Sequence, residues 1–437
     1  MPGLSLSKKA DMEEKLSDSP SNIIWDAIVI GGGPAGACAA AKLAQMGRSV
    51  LVIEKEKFPR FHVGESLLPY SRPILEEIGV WEKLQNVGFM RKRGAQFWLG
   101  NGTHHIRVTF AQSIFTEFPE ALHVERSLFD QILLEHARAS GAEICEETLV
   151  TNFTVKNDFV EVTARRADGG EFTERARFLV DASGLSNFTG NQQRLRQIMP
   201  EHRKIAFYAH FNNTVMPPGE EAGDILILRR PDSWCWMIPL SVDKTSVGLV
   251  FDADEIRAHP MPAEDRVAQT IVATPELQRR LGKAERITPV HVAADFSYHN
   301  RRLASPRLIR IGDASGFIDP IFSSGVHLAL QSGRDSALLI NEAVTQNTGW
   351  THGMKKYETQ TRRRIDIYQR FITKFYTREF CEVFMNGGHA EKITSAVNAV
   401  LAGRTELPFA AWWRLNLFFL IVRVQRHFTL APRLAWE

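Results

Sequence analysis

The sequence predicts an α/β chain with a Rossmann-like lobe assembled from separate segments, an antiparallel β-sheet lobe and a helical C-terminal region. Three observations carry this expectation. Near the N-terminus an apolar run ends in a glycine turn and an alanine-rich helix, and a similar strand and turn recur near residue 312. Between them, "KIAFYAHFNNTV" and "SWCWMIPLSVDKTSVGLVFD" alternate with a period of two. Past residue 345 the chain turns helical and aromatic-rich. The expected segments are a flexible leader at 1–23, a discontinuous lobe at 24–110, 120–185 and 285–345, a β-sheet lobe at 186–284, and a helical region at 346–437.

Composition bounds the function. With 437 residues, 44% of them hydrophobic, the chain can bury a large core. A formal net charge of +3 leaves no footprint for nucleic acid. From residue 351 onward 14 Lys/Arg stand against 7 Asp/Glu, so the C-terminal end is the basic one. Cys38, Cys145, Cys235 and Cys381 are widely separated, without metal-ligand spacing, which predicts a reducing, cytoplasmic setting. The leader has no apolar core of a secretory signal. The most apolar stretch, "PFAAWWRLNLFFLIVRV" at 408–424, is interrupted by Arg414 and Asn416. It predicts a buried or lid-like helix, with membrane contact limited to peripheral association through this aromatic segment.

"WDAIVIGGGPAGACAAAKLAQMGRSVLVIEKE" reads as strand, turn, helix, strand. Gly31, Gly33 and Gly36 satisfy GxGxxG, with Ala35 inside the turn, and the helix start offers free N–H groups and a positive dipole end to a pyrophosphate. Glu54 ends the second strand 18 residues after Gly36, where an acid binds a ribose hydroxyl.

Further along, "RLIRIGDASGF" ends a strand in Gly312 and Asp313. It resembles the GD motif of FAD-dependent monooxygenases of the para-hydroxybenzoate hydroxylase fold. "FLVDASG", with Asp181, is similar to that fold's second aspartate motif, and Arg126 opens a helix where the fold carries an arginine beside the dinucleotide. The resemblance implies that the discontinuous lobe binds FAD, that the β-sheet lobe roofs the substrate cavity, and that the C-terminal helices cover it.

A second layer of motifs narrows the chemistry. Phe58, Pro59, Arg60, Gly64, Glu65 and Ser66 fit a segment that resembles one found beside the flavin in flavin-dependent halogenases and geranylgeranyl reductases. Trp234, Trp236, Ile238 and Pro239 satisfy the W-x-W-x-I-P pattern of the halogenases; as i and i+2 on a strand, the two indoles share one face and can wall off a compartment. Phe317, Pro320, Ser323 and Gly325 satisfy F-x-x-P-x-x-S-x-G, so Pro320, Ser323, Ser324 and Gly325 are expected as a halide and flavin wall at a helix start.

The same resemblance implies a receiving lysine, and in "GVWEKLQNVGFMRKRGAQFW" Lys92 fits by register. On a strand it faces opposite to Arg91 and Arg93. Tryptophan halogenases carry an acid before their later Ser-Thr-Gly; Phe322 stands there, which disfavours tryptophan and points to the pyrrole, phenol or carrier-tethered subgroup.

The implied reaction makes hypohalous acid from a flavin C4a-hydroperoxide and chloride or bromide, and passes it through Lys92 to an electron-rich ring. It uses O2 and FADH2 from a separate flavin reductase, since the sequence holds no second dinucleotide cradle. An acyl or peptidyl carrier protein is an expected partner, for which Lys355, Lys356, Arg362, Arg363 and Arg364 offer a basic face. His62, His210, His327 and Glu65 are candidate bases. The competing reading is an aromatic hydroxylase or geranylgeranyl-reductase-like enzyme of the same fold.

Overall fold

The strand Ile24–Ile30 lies at the centre of the first sheet, paired in parallel with Val50–Ile53 and Glu171–Asp181. The computed structural model describes residues 24–231, 233–294, 296–386 and 391–436; the leader expected at 1–23 lies outside them. Outward from that centre, the order continues through Leu308–Arg310 on one side and Glu143–Cys145 on the other. Ala27, Ile28 and Val29 are fully buried, as a parallel strand covered on both faces requires. The helix Pro34–Gln45 packs against Ser324–Thr345. Small residues permit the close approach: a Cβ on Gly333 would stand 2.5 Å from the Ala35 carbonyl oxygen.

The second sheet has ten strands, with Arg196–Asn212, Thr245–Asp252, Ser233–Pro239 and Ile225–Arg229 side by side. Along Ser233–Pro239 the side chains alternate between two cores. Trp234, Trp236 and Ile238 face the C-terminal helices, while Cys235 and Met237 face the short helices Ala263–Ala273 and Pro275–Leu281. The β-sheet lobe therefore has a helical outer cover that strand periodicity did not anticipate.

Strand pairing also corrects the expected segments. Gly94–Leu99 and His105–Thr109, within the stretch 24–110, join the second sheet, the former running parallel to Ile225–Arg229. From the stretch 285–345, Phe296–Asn300 and Gly316–Phe317 do the same. Local alternation shows that a strand exists; only the partner that covers Ala95, Phe97 and Leu99 decides which sheet it joins.

The C-terminal region forms the helices His352–Phe375, Arg378–Met385, Glu391–Leu401 and Phe409–Gln425. Phe371, Phe375, Phe380 and Phe418 share one core with Trp234 and Trp236. The α/β class with a helical C-terminal region is thus as the sequence predicts. Among the described residues, no helix is long and apolar enough to cross a membrane, and no acid, histidine or cysteine cluster could hold a metal. All four cysteines are buried and free.

Candidate active site

A cavity of about 400 Å³ lies between the two sheets, lined by the glycine turn, by Gly312–Asp313, by parts of the segment 317–325 and by both tryptophans. Its first end fits a dinucleotide. Gly31 has φ +98° and a Cβ there would stand 2.5 Å from the Ala182 carbonyl oxygen, while a Cβ on Gly36 would stand 1.9 Å from that of Gly31. The helix Pro34–Gln45 opens with no side-chain cap on its N–H groups, and Gly33, Pro34 and Ala35 line the cavity. Glu54 also lines it, tied in place by the Gly32 N–H (2.6 Å) and the Glu56 N–H (2.8 Å).

Beside this cradle, Arg126 donates to both oxygens of Asp130 and to the Val63 carbonyl. Gly64, at φ +103°, passes so close that a Cβ would lie 2.9 Å from Arg126 Nη1. Arg60 stacks its guanidinium 4.7 Å over the Phe58 ring. Its buried Nη1, 3.4 Å from Asp130 Oδ2, makes no hydrogen bond among the described residues, while the residue lines the cavity. A buried donor of this kind, with the glycine cradle and the uncapped helix, fits the anionic FAD that the motifs imply.

Asp181 is placed differently from the expectation. Its carboxylate is fully buried and accepts from the Ser183 N–H (3.0 Å) and from the Thr189 N–H and hydroxyl (2.8 and 2.5 Å). Ala182, Ser183 and Gly184 line the cavity in its stead. Asp181 therefore shapes the loop behind the cavity, because the turn after it brings Thr189 back to the carboxylate, a return that no local pattern reveals.

On the opposite wall, Pro320, Ser323 and Gly325 line the cavity, and Ser324 is buried beside them. Ser323 holds a left-handed φ of +57° at the start of the helix Ser324–Thr345, and a Cβ on Gly325 would meet nothing within 4 Å. The Trp234 and Trp236 rings lie 5.7 Å apart. Gly248 makes room for the second, since a Cβ there would stand 2.1 Å from the Trp236 ring.

A link missing from the sequence reading joins the two walls. Trp234 Nε1 donates to the Tyr376 hydroxyl (2.9 Å), and that hydroxyl donates to Asp319 Oδ2 (2.6 Å). Asp319 Oδ1 in turn accepts from the Ile321 N–H (3.0 Å). Tyr376 follows a helix end far from both motifs in sequence, so spacing offered no signal for it.

Lys92 is 2% exposed, and Arg91 and Arg93 face solvent. Among the described residues, its strand, Met90–Lys92, pairs only with Ala121–His123. Nζ donates to Ser66 Oγ (2.9 Å) and the Leu67 carbonyl (3.2 Å), 5.5 Å from the Phe110 ring centre. Burial pushes its pKa down from 10.5 to about 7. Glu65 and Ser66 line the cavity and Lys92 does not, so the amine stands one side chain behind the wall.

The four candidate bases separate. His62 lines the cavity, with its pKa pushed down to about 4 by burial and by Arg126. Glu65 also lines it, and His210 stands 2.8 Å behind Glu65. His327 is buried against Ser71 (3.4 Å), with its pKa lowered to about 4 mainly by burial.

With this geometry in place, the likenesses to known proteins fall into order. The profile of the family described as tryptophan halogenase matches residues 26–116 and 106–382. The chain belongs to this family of flavin-dependent halogenases. A 1H-pyrrole-2-carbonyl-[peptidyl-carrier protein] chlorinase of Pseudomonas fluorescens is 32% identical over 374 residues, 80% of this chain and 83% of that protein. A tryptophan 2-halogenase of Chondromyces crocatus is 31% identical over 356 residues, 80% of this chain and 67% of that one. The structure of a flavin-dependent brominase, 28% identical, superposes with a TM-score of 0.82 and covers 92% of this chain and 100% of its own.

The halogenase's resemblance to its family, read first from its motifs, is thus borne out. The cradle yields an immediate test. In the halogenase, Gly36→Ala forces the turn open against the Gly31 carbonyl, and FAD affinity is expected to fall at least about tenfold, measured by flavin fluorescence titration. Unchanged affinity would show that the turn does not carry the cofactor.

Proposed function

We propose that the halogenase transfers an electrophilic halogen from chloride or bromide to an electron-rich ring, a pyrrole or phenol held on a carrier protein, with Lys92 as the receiver. The observation that carries the reading is the buried Lys92 amine, held by Ser66 directly behind the cofactor-side cavity and with a pKa near 7. Bound FAD, reduced by a separate flavin reductase, supplies the electrons that activate O2. The chain's own residues do the rest. Gly31, Gly33, Ala35, Gly36, Glu54, Arg60, Arg126, Gly312 and Asp313 hold the cofactor. Pro320, Ser323, Ser324 and Gly325 form the wall that places the halide, and Trp234 and Trp236 keep the aromatic substrate away from the cofactor, which disfavours simple hydroxylation.

The neutral Lys92 Nζ would take the halogen of hypohalous acid, releasing water, and the nitrogen–halogen bond would break as the ring carbon takes the halogen and its displaced proton returns to the amine. Phe322 packs against Phe371 and Phe375, where an acid would stand in a tryptophan halogenase, and this supports a substrate other than tryptophan. The carrier is supported by the likeness to the pyrrole-carrier chlorinase.

The test is mass spectrometry of carrier-bound and free pyrroles, phenols and tryptophan, incubated with the enzyme, a flavin reductase, FAD and either halide. A halide-dependent isotope doublet on the carrier-bound ring is expected. Hydroxylated product, or turnover without halide, would establish the hydroxylase or reductase alternative.

A further inference from the structure

The helix Phe409–Gln425 is apolar on two sides. Leu415, Phe418 and Val422 are buried inward. Outward, Phe409 is 77%, Trp412 54% and Leu420 54% exposed. A helix apolar all round is ordinarily covered on both faces, and a run of exposed large side chains marks an interaction surface. Arg423, 11 residues after Trp412, falls on the same outward face by helical spacing. Arg423 and Arg426 are exposed and make no ion pair among the described residues. Arg414 lies 4.4 Å over the Trp413 ring and 5.7 Å over that of Phe115.

The position of this face gives it meaning. Phe115 belongs to the loop after Phe110, the ring beneath Lys92 Nζ. That loop is tied to the helical region by Ser113 Oγ donating to the Ser395 carbonyl (2.8 Å) and by Arg404 donating to the Phe115 carbonyl (2.7 Å). It also exposes Ile114 at 67%. Through Arg414 and Trp413, one edge of the exposed face therefore adjoins the cover of Lys92, while Trp412 and Arg423 lie farther round the helix.

The basic face expected from sequence is weaker. Arg364 is engaged with Asp335 and Glu406, and Arg362 with Glu358. No large exposed apolar side chain occurs on the helix His352–Phe375. Lys355, Lys356 and Arg363 remain exposed there.

We infer that the outward face of Phe409–Gln425, with the adjoining loop around Ile114 and Phe115, docks an acidic carrier domain that presents its tethered ring beside Lys92. The inference rests on the carrier reading above. Unpaired arginines match an acidic partner, and exposed indoles supply the apolar anchor. Adjacency to the cover of Lys92 favours a tethered substrate over a lipid surface, because only the former must deliver a ring to that amine.

The test uses the full enzyme and a peptidyl carrier protein loaded with pyrrole-2-carboxylate, with carrier binding followed by fluorescence anisotropy and turnover by mass spectrometry. Trp412→Glu and the double variant Arg423→Glu/Arg426→Glu are each expected to raise the carrier Kd and KM by about tenfold or more. FAD affinity and FADH2 oxidation should stay unchanged, as should carrier KM in Lys355→Glu/Lys356→Glu. Undiminished carrier binding in the first two variants overturns the docking face while leaving the carrier reading intact. A wild-type enzyme that ignores the loaded carrier and halogenates only free rings overturns both. Flotation with anionic phosphatidylglycerol vesicles, or self-association, that the same substitutions abolish without touching carrier KM would reassign the face to a membrane or to a second copy.

Discussion

Lys92→Met is expected to lower halogenated product by at least about a hundredfold while FADH2 oxidation continues at the wild-type rate. Methionine fills a similar volume and leaves the cofactor cavity intact, because Lys92 does not line it. The variant should also fold well. The amine's pKa is about 7 when folded against 10.5 when exposed, so the unfolded chain binds the additional proton between those values. Wild-type stability therefore rises with pH from about 7 toward 10.5, and below 7 the full cost of burying the charge is present. Removing the amine removes that slope, so the variant should melt no lower than the wild type at pH 7, by calorimetry.

In the wild type, product formed per FADH2 consumed should rise with pH through about 7 as the neutral amine becomes available. Product retained in Lys92→Met, or a yield flat across this range, would remove Lys92 from the chemistry.

Tyr376→Phe should separate oxidation from halogenation by another route. The lost hydroxyl takes the acceptor from Trp234 Nε1 and one donor from Asp319. A buried link that includes a carboxylate is worth about 2 kcal/mol, so the melting temperature should fall by several degrees. Burial and Asp319 hold the Tyr376 pKa well above its ordinary value, so the hydroxyl stays protonated and the link persists across the working pH range.

Functionally, the indole wall and the Pro320 turn lose their common anchor. A larger share of FADH2 should end as hydrogen peroxide, with halogenated product falling about tenfold and FAD affinity unchanged. Tight coupling in this variant would reduce Tyr376 to a purely structural contact. Asp319→Asn, which keeps an acceptor but removes the charge, should give an intermediate loss.

Much of the site was legible because it rests on short-range chemistry. The glycines at 31, 33 and 36 are read as a tight turn with close backbone approach; at Gly31 and Gly36 a Cβ would stand 2.5 and 1.9 Å from backbone oxygens, whereas at Gly33 it would meet only Arg60 Nη2 at 3.4 Å. Strand alternation likewise placed Lys92 inward and its flanking arginines outward, and put Trp234 and Trp236 on one face. Asp181 escaped the same logic: its motif is present, but its carboxylate turns back to Thr189.

The sequence by itself determined the α/β class, the flavin-dependent halogenase family, the glycine turn, the shared face of Trp234 and Trp236, and the opposite facing of Lys92 and its flanking arginines. These follow from local sterics and from periods of two and 3.6 residues. Only the tertiary structure decided that Gly94–Leu99 belongs to the second sheet, that Ser66 stands between Lys92 and the cavity, and that Tyr376 bridges Trp234 to Asp319. Each of these contacts joins residues at least 26 positions apart. At that separation, packing and hydrogen-bond satisfaction across the whole fold choose the partner, and no local pattern encodes it.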